Sequence, residues 1–282
     1  MGTCLGRPAH VQEEIKSSGQ YQATERCARQ LLGPTVRIEA KLGEGGYGTV
    51  FLASWKHSQV AIKVTTESRS EASLSLTLRH PHIVSTFVAK THQGQLWIVQ
   101  EHCRLGALRG YLRSHRMSYR DKISIAYNVA SGMLYLAEQN VIHGDLNANN
   151  VLLSTTGTHI VAKVADFGNS RSTAGWICSH RVTDTRGTVT HVAPELLSQG
   201  LLTAAADVYA FGILLHELYT GQAAYTSMHL ARVMQDVVSN NMRPVFPAGT
   251  PEGYATLATT CWNGMPKARP GWQAILEVLG SL

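Results

Sequence analysis

Residues 141–168 read VIHGDLNANNVLLSTTGTHIVAKVADFG, and this stretch decides the fold. Two short β-rich pieces, Val151–Leu153 and Ile160–Val164, flank a Thr-Gly turn. Before them, His143-Gly144-Asp145-Leu146-Asn147-Ala148-Asn149-Asn150 has neither a helical nor a strand period and reads as a loop. Asp145 and Asn150, five residues apart, could present a base and a metal-ligating oxygen. After the second strand comes Ala165-Asp166-Phe167-Gly168. Asp166, at a strand end before glycine, is well placed to hold Mg²⁺. A plainer reading covers both motifs, since isolated Asp and Asn commonly cap Asx-turns.

Just upstream, residues 119–138 carry Ile123, Ala126, Tyr127, Ala130, Leu134 and Ala137 at spacings of three and four, an amphipathic helix. Farther back, Val36, Ile38, Ala40 and Leu42 alternate with polar residues, as in a half-buried strand. Val50–Ala53, Val60–Val64 and Leu96–Gln100 also read as strands, and 67–79 as a helix with Glu71, Leu74 and Leu78 on one face. Downstream, 207–219 and 271–279 read as helices. A β-rich part followed by an α-rich part is an α+β arrangement, and no internal repeat is present. Residues 1–35 are polar and mixed, closed by Gly33-Pro34; Glu13 to Arg29 could form a short helix, but its apolar positions are sparse, and the segment reads as a flexible leader or linker.

Two features of the β-rich part bear on chemistry. In Gly43-Glu44-Gly45-Gly46-Tyr47-Gly48-Thr49-Val50, glycines at relative positions 1, 3 and 6 let backbone approach phosphates, because no Cβ intervenes. A flexible hairpin turn would carry the same glycines. A strand follows rather than a helix, so this is a glycine-rich hairpin and not a dinucleotide fingerprint. In Val60-Ala61-Ile62-Lys63 an ammonium sits in an apolar strand. It needs a partner, which phosphates or the Glu71 carboxylate would supply. A lysine snorkelling to the surface is the alternative.

Composition bounds the answer. A chain of 282 residues fits about two domains or one two-lobed domain. It buries roughly three-quarters of its unfolded surface and needs no staple. Hydrophobic residues are 44% and charged residues 16%, which excludes a disordered chain. The net charge of +6 invites a nucleic-acid reading, but there is no long Lys/Arg run and no basic–aromatic interleaving, so no nucleic-acid partner is expected. The most apolar long stretch, Val208–Tyr219, is interrupted by His216 and Glu217, so no membrane span is expected. The start, MGTCLGRPAH, lacks the apolar run of a secretory signal. Gly2 with Cys4 resembles a dual-acylation start, but Gly6 stands where myristoylation prefers Ser or Thr, so no lipid anchor is expected. Cys4, Cys27, Cys103, Cys178 and Cys261 are scattered and odd in number, as in a reduced, cytoplasmic protein. His102 and His191 lack clustered partners and read as structural rather than metal-ligating.

Taken in order, the glycine loop, Val-Ala-Ile-Lys63, the helix Glu71, the His143–Asn150 loop, Asp166-Phe167-Gly168 and Ala193-Pro194-Glu195 resemble the eukaryotic protein kinases. The likeness covers residues 36–282. It implies a two-lobed fold, with an antiparallel sheet and one helix over 36–102 and a mostly α-helical lobe over 103–282. By that resemblance Gly43 to Val50, with Gly43, Gly45 and Gly48 foremost, cover the phosphates of ATP. Lys63 contacts the α- and β-phosphates and is held by Glu71. Asp145 orients the substrate hydroxyl, and Asn150 and Asp166 hold Mg²⁺. Leu42, Val50, Ala61 and Leu152 sandwich the adenine, Gln100 is the gatekeeper, and Glu101-His102-Cys103 form the hinge. Asp207 and Arg269 match architectural residues, the second pairing with Glu195.

Gly187-Thr188 resembles the substrate loop of Ser/Thr kinases, and Asn147 and Asn149 stand where tyrosine kinases carry Arg. The Leu78–Val84 segment and Gly106–Leu108 resemble the tyrosine-kinase-like group of Ser/Thr kinases. Protein substrates and ATP are the implied partners, and the sequence carries no signal for oligomeric state. Three departures stand out. Gly144 replaces the Arg that pairs with an activation-loop phosphate, so activity independent of a phosphate in 169–190 is expected. Ser170, Ser172, Thr173, Thr183 and Thr185 then read as a solvated loop. Asn147 replaces a Lys that would neutralise the γ-phosphate, so a slower chemical step is expected. Ser75 and Thr86 fall where apolar side chains usually stack behind Phe167 and His143. These departures keep a second function in view: a pseudokinase, binding ATP as a scaffold with little transfer.

Overall fold

The computed structural model describes residues 19–45, 48–66, 69–172 and 189–282. The chain forms two compact units, one holding the chain up to Leu78 with Ser85–His102, the other Arg79–Val84 with Cys103–Leu282.

The first unit is built on strands β1 (Arg37–Gly45), β2 (Gly48–Trp55), β3 (Ser58–Thr65), β4 (Thr86–His92) and β5 (Gln95–Glu101). They form an antiparallel sheet in the order β1-β2-β3-β5-β4. The alternation read from the sequence sets its faces. Val60, Ile62 and Val64 of β3 are buried beside Phe51 and Ala53 of β2 and Trp97 and Val99 of β5. Ala61 and Lys63, at the intervening positions, belong to the other face. Helix α2 (Arg69–Thr77) falls inside the expected 67–79 and packs on β4 and β5.

The fold differs from the sequence reading at its start. Within the stretch read as a flexible leader, Gly19–Leu32 form helix α1, a second helix in this unit. It covers the apolar face of the sheet. Ala28 is fully buried in the same core, and the Tyr21 ring meets Phe51 edge-on at 5.9 Å. Polar contacts fix it: Trp55 Nε1 donates to the Leu32 carbonyl (3.1 Å) and Lys90 Nζ to the Leu31 carbonyl (3.0 Å) at its C-terminal end, and Ile38 N to Glu25 Oε2 (3.2 Å) at its middle. The packed stripe is Tyr21, Ala28 and Leu31–Leu32 with Thr24 in between, and that hydroxyl hides the helical period.

The second unit begins with β6 (Gly106–Ala107), α3 (Leu108–Ser114) and α4 (Tyr119–Glu138). Ser118 caps α4, its hydroxyl accepting from Asp121 N at 3.1 Å. The buried stripe of α4 is Ile125, Ala126, Val129, Ala130, Met133 and Leu136. It is rotated from the one expected, and Tyr127 is 42% exposed. Next come β7 (Val141–Ile142), β8 (Val151–Thr156), β9 (His159–Val164) and β10 (Arg171–Ser172). β6, β8 and β9 make a three-stranded sheet and β7 pairs with β10. The unit closes with α5 (Pro194–Gln199), α6 (Ala204–Thr220), α7 (Leu230–Ser239), α8 (Glu252–Cys261) and α9 (Trp272–Ser281). Helix α6 is buried from Ala206 to Leu218, a central strut rather than an amphipathic surface helix. The α+β architecture, antiparallel sheet then helical unit, is the one expected. Among the described residues no helix is long and apolar enough to cross a membrane.

Candidate active site

The glycine cluster forms the β1–β2 hairpin, with Gly43 opposite Val50, Glu44 opposite Thr49 and Gly45 opposite Gly48. Gly46 and Tyr47 lie outside the described residues. Gly48 has φ +107°, and a Cβ there would stand 2.2 Å from the Val64 carbonyl oxygen. Only glycine lets β2 lie this close to β3. Across that pair, Val50 is opposite Lys63 and Leu52 opposite Ala61. Lys63 is 7% exposed, so its stem is packed. Leu42 is 48% exposed on β1. Glu71 lies in α2 as the spacing expects, and its side chain is outside the description.

At the end of β5, Glu101 N donates to the Ser85 carbonyl (3.0 Å) and its Oε1 accepts from Ser85 N (2.6 Å). Gln100 Nε2 donates to Thr86 Oγ1 at 3.1 Å, so the polar residue at 86 has a polar neighbour on β5. Ser75 and Thr86 are both buried. In the second unit Cys103 is buried with Val84 and Ala165, and Leu152 packs against them. Its thiol fills an apolar site.

The 143–150 loop is held from below by α6. Both oxygens of the Asp207 carboxylate accept backbone N–H groups, from His143 at 2.7 Å and Gly144 at 2.9 Å. Burial pushes the Asp207 carboxyl up, opposed by His143 and these two amides. His143 Nδ1 accepts from Asp145 N (3.2 Å) and its Nε2 lies 3.0 Å from the Ala165 carbonyl. Its ring meets Phe167 edge-on at 5.6 Å. One imidazole thus ties the Asp145 loop to the Asp166 strand end.

Asp145 itself is enclosed by amides. Asn147 Nδ2 donates to its Oδ1 (2.9 Å) and carbonyl (3.0 Å), while Asn150 Nδ2 donates to its Oδ2 (3.1 Å) and carbonyl (2.8 Å). Asn147 Oδ1 in turn accepts from Asn149 N at 2.8 Å. Both amide nitrogens of Asn147 and Asn150 point at Asp145, so each side chain presents an oxygen elsewhere. The Asn150 carbonyl accepts from Ala165 N at 2.8 Å, linking this loop to Asp166, which sits at φ +65°. Gly144 has φ +76°, with the Asn169 carbonyl oxygen 3.0 Å from the position of a Cβ. A long side chain there would meet backbone strain as well as crowding. Ser170, one of the loop hydroxyls weighed above, is buried and donates to the His143 carbonyl (3.1 Å). Gly187, Thr188, Thr173, Thr183 and Thr185 lie outside the described residues.

Arg269 makes a two-pronged ion pair with Glu195, at 2.6 and 2.7 Å, as the motif order implies. The structure therefore brings Asp145, Asn147, Asn150 and the Asp166 strand end together within one unit. It also reveals the amide cage of Asp145 and a buried Arg109–Glu217 pair. The second had no signal in spacing, because the partners are 108 residues apart.

Comparison with known proteins gives the family. The model described as protein tyrosine and serine/threonine kinase matches residues 36–279. A probable serine/threonine-protein kinase of Dictyostelium discoideum is 33% identical over 88% of this chain and 28% of its own length. Human mitogen-activated protein kinase kinase kinase 11 is 34% identical over 88% of this chain and 31% of its own. The Drosophila melanogaster tyrosine-protein kinase Src64B is 34% identical over 84% of this chain and 45% of its own. The chain spans less than a third of the first two relatives. With the loop, the strand-end aspartate and the Glu195–Arg269 pair all in place, this chain belongs to the protein tyrosine and serine/threonine kinase family.

Proposed function

We propose that this chain is an ATP-dependent protein kinase that transfers the γ-phosphate to Ser and Thr hydroxyls of proteins. The observation that carries the reading is the Asp145 carboxylate, held by two side-chain amides and tied through Asn150 and Ala165 to Asp166. One of the relatives named above is described as a probable serine/threonine-protein kinase, and Asn147 and Asn149 supply no charge that would favour a tyrosine acceptor.

Mg²⁺ suits the donors. Asp166 offers carboxylate oxygens and Asn150 an amide oxygen whose nitrogen is already committed to Asp145, and hard cations take oxygen ligands completed by substrate phosphates. Asn150 and Asp166 would hold the cation. ATP with Mg²⁺ supplies the phosphoryl group and neutralises charge on it. The chain positions the rest. The β1–β2 hairpin, Gly43 to Val50, and Lys63 bind the phosphates, with Glu71 as partner of Lys63. Leu42, Val50, Ala61 and Leu152 flank the adenine, whose polar edge meets backbone at Glu101 and Cys103. Asp145 orients the acceptor hydroxyl and takes its proton, and its amide cage fixes the carboxylate plane before substrate arrives. A cytoplasmic setting fits the free thiols of Cys27, Cys103 and Cys261.

The test is labelled-phosphate transfer from Mg·ATP to a generic Ser/Thr peptide and to the protein itself, with Asp145→Ala alongside. Transfer that disappears in the variant supports the reading. Thermal stabilisation by ATP without any transfer overturns it in favour of a nucleotide-binding scaffold.

A further inference from the structure

The nucleotide residues proposed above share one face of the sheet in the first unit. The opposite face carries a cavity of about 300 Å³ beside helix α1. Phe51 of β2, Val64 of β3 and Trp97 of β5 line it. Successive side chains along a strand point to opposite faces, so the thickness of the sheet separates this cavity from Val50, Ala61 and Lys63. Ala23, Thr24 and Cys27 of α1 supply the second wall.

The turn between β4 and β5 supplies a third. His92 and Gln95 pair across it, and the two residues between them have positive φ, +50° at Gln93 and +75° at Gly94. A two-residue hairpin turn of this kind usually begins with Asn, Asp or Gly. Here a longer side chain takes the left-handed position, and its Oε1 lies 4.0 Å from Cys27 Sγ. Gln93 and Gln95 both line the cavity.

Two properties define what would fill it. The first is a donor without an acceptor. Trp97 is 3% exposed, and its indole Nε1 is buried with no hydrogen-bond partner among the described residues. Buried indole N–H groups usually have one, because a donor left dry destabilises the fold. The second is the absence of charge: no lining residue is Asp, Glu, Lys or Arg. An ion would lose its water there without gaining a partner. The rings of Phe51 and Trp97 offer apolar surface, and the hydroxyls of Thr24 and Thr49 with the two glutamine amides offer a polar edge. The volume is at the lower end of the roughly 300–1,000 Å³ of small-molecule sites, which suits one or two fused rings.

We propose that this cavity binds a small, uncharged, flat molecule bearing a carbonyl, with its rings against Phe51, Val64 and Trp97 and its carbonyl accepting from Trp97 Nε1. The site is independent of phosphate transfer. Because α1 and the sheet each supply a wall, an occupant also strengthens the seat of the helix.

The test uses 2-quinolone, a neutral bicyclic lactam, on the full chain with and without Mg·ATP. The readout is local: the rate at which iodoacetamide alkylates Cys27, a half-buried free thiol, followed on its own peptide by mass spectrometry. A probe with so few atoms is expected to bind with a Kd on the order of 1 mM. At about 5 mM it should then slow Cys27 alkylation about sixfold, with ATP changing this less than about twofold. Trp97→Phe removes the donor and should weaken binding about threefold to tenfold. Trp97 belongs to the core, so Ala23→Trp, at an exposed position of α1, serves as the second variant. It fills the cavity from the helix side and should abolish binding, followed by saturation-transfer NMR of the probe with Mg·ATP present. Alkylation of Cys27 that 2-quinolone does not slow overturns the proposal. Protection that ATP competes away also overturns it, since the probe then sits on the other face. Binding that Ala23→Trp retains in full overturns it as well, whether or not Trp97→Phe folds.

Discussion

Asn147 shows how one amide replaces a cation. By the family resemblance a lysine at this position would bring charge to the γ-phosphate; the asparagine instead spends both ends on the loop. Its nitrogen holds the Asp145 carboxylate and carbonyl, and its oxygen holds Asn149 N. It is 1% exposed, so its loss opens a gap in the loop, takes the acceptor from Asn149 N and removes one of the two amides that hold the Asp145 carboxylate. Asn147→Ala should cost about 1–3 kcal/mol of stability and lower kcat about tenfold or more through the less firmly oriented carboxylate. Urea denaturation and single-turnover transfer measure the two. Full turnover in a destabilised variant would separate the cage from the chemistry. The motifs around Asn147 were readable because the loop, strand and turn are contiguous. The amide cage was not, since nothing in a spacing says which way an amide points.

Among the elements, α1 changes the picture of the chain most. The β3 alternation announced a sheet with one apolar face, but not what covers it. Helix α1 does so, with Ala28 fully buried in the shared core and three polar bonds along its length. The element was hidden because its packed apolar positions are sparse, with the small Ala28 and the hydroxyl of Thr24 standing between Tyr21 and Leu31–Leu32. α4 was legible in length but not in phase, because apolar residues at Ile123, Tyr127 and Leu134 offer a second stripe beside the buried Ile125, Val129, Met133 and Leu136, and the shared Ala126 and Ala130 do not decide between them. If α1 is structural, a charge at its contact should be felt throughout the first unit. Ala28→Glu buries a carboxylate with no partner and should cost about 3 kcal/mol or more. Thermal denaturation tests this, and an unchanged midpoint would show α1 to be a passenger.

At the scale of the whole molecule, buried titrating groups set the response to acid. Burial holds His80 and His82 below the ordinary 6.5, with His82 and Lys163 adding to it at His80 and Lys163 at His82, and burial does the same to His216. The unfolded chain takes these protons first, so stability falls as pH drops through about 6.5. Glu217 acts lower. Burial alone would raise it, but His191, Arg109 and the Ala224 N–H outweigh that and hold it at about 2, against 4.5 when free. Its contribution is complete above 4.5 and is lost as pH falls towards 2, on the order of 3 kcal/mol. Urea midpoints at pH about 7.5, 5.5 and 3.5 should therefore decline in two stages. A midpoint that rises on acidification would contradict both assignments.

The β1–β2 hairpin carries a lesson for heredity. Its three motif glycines look interchangeable in the sequence, yet Gly43 and Gly45 have nothing within 4 Å of a would-be Cβ, while Gly48 has the Val64 carbonyl. At 43 and 45 packing asks for no particular residue, so on the proposed reading only the phosphates call for glycine there, and a lineage that gave up transfer would be free to drift. At 48 the first atom of any side chain strikes the neighbouring strand, so a lineage of this fold that lost its chemistry would still inherit that glycine.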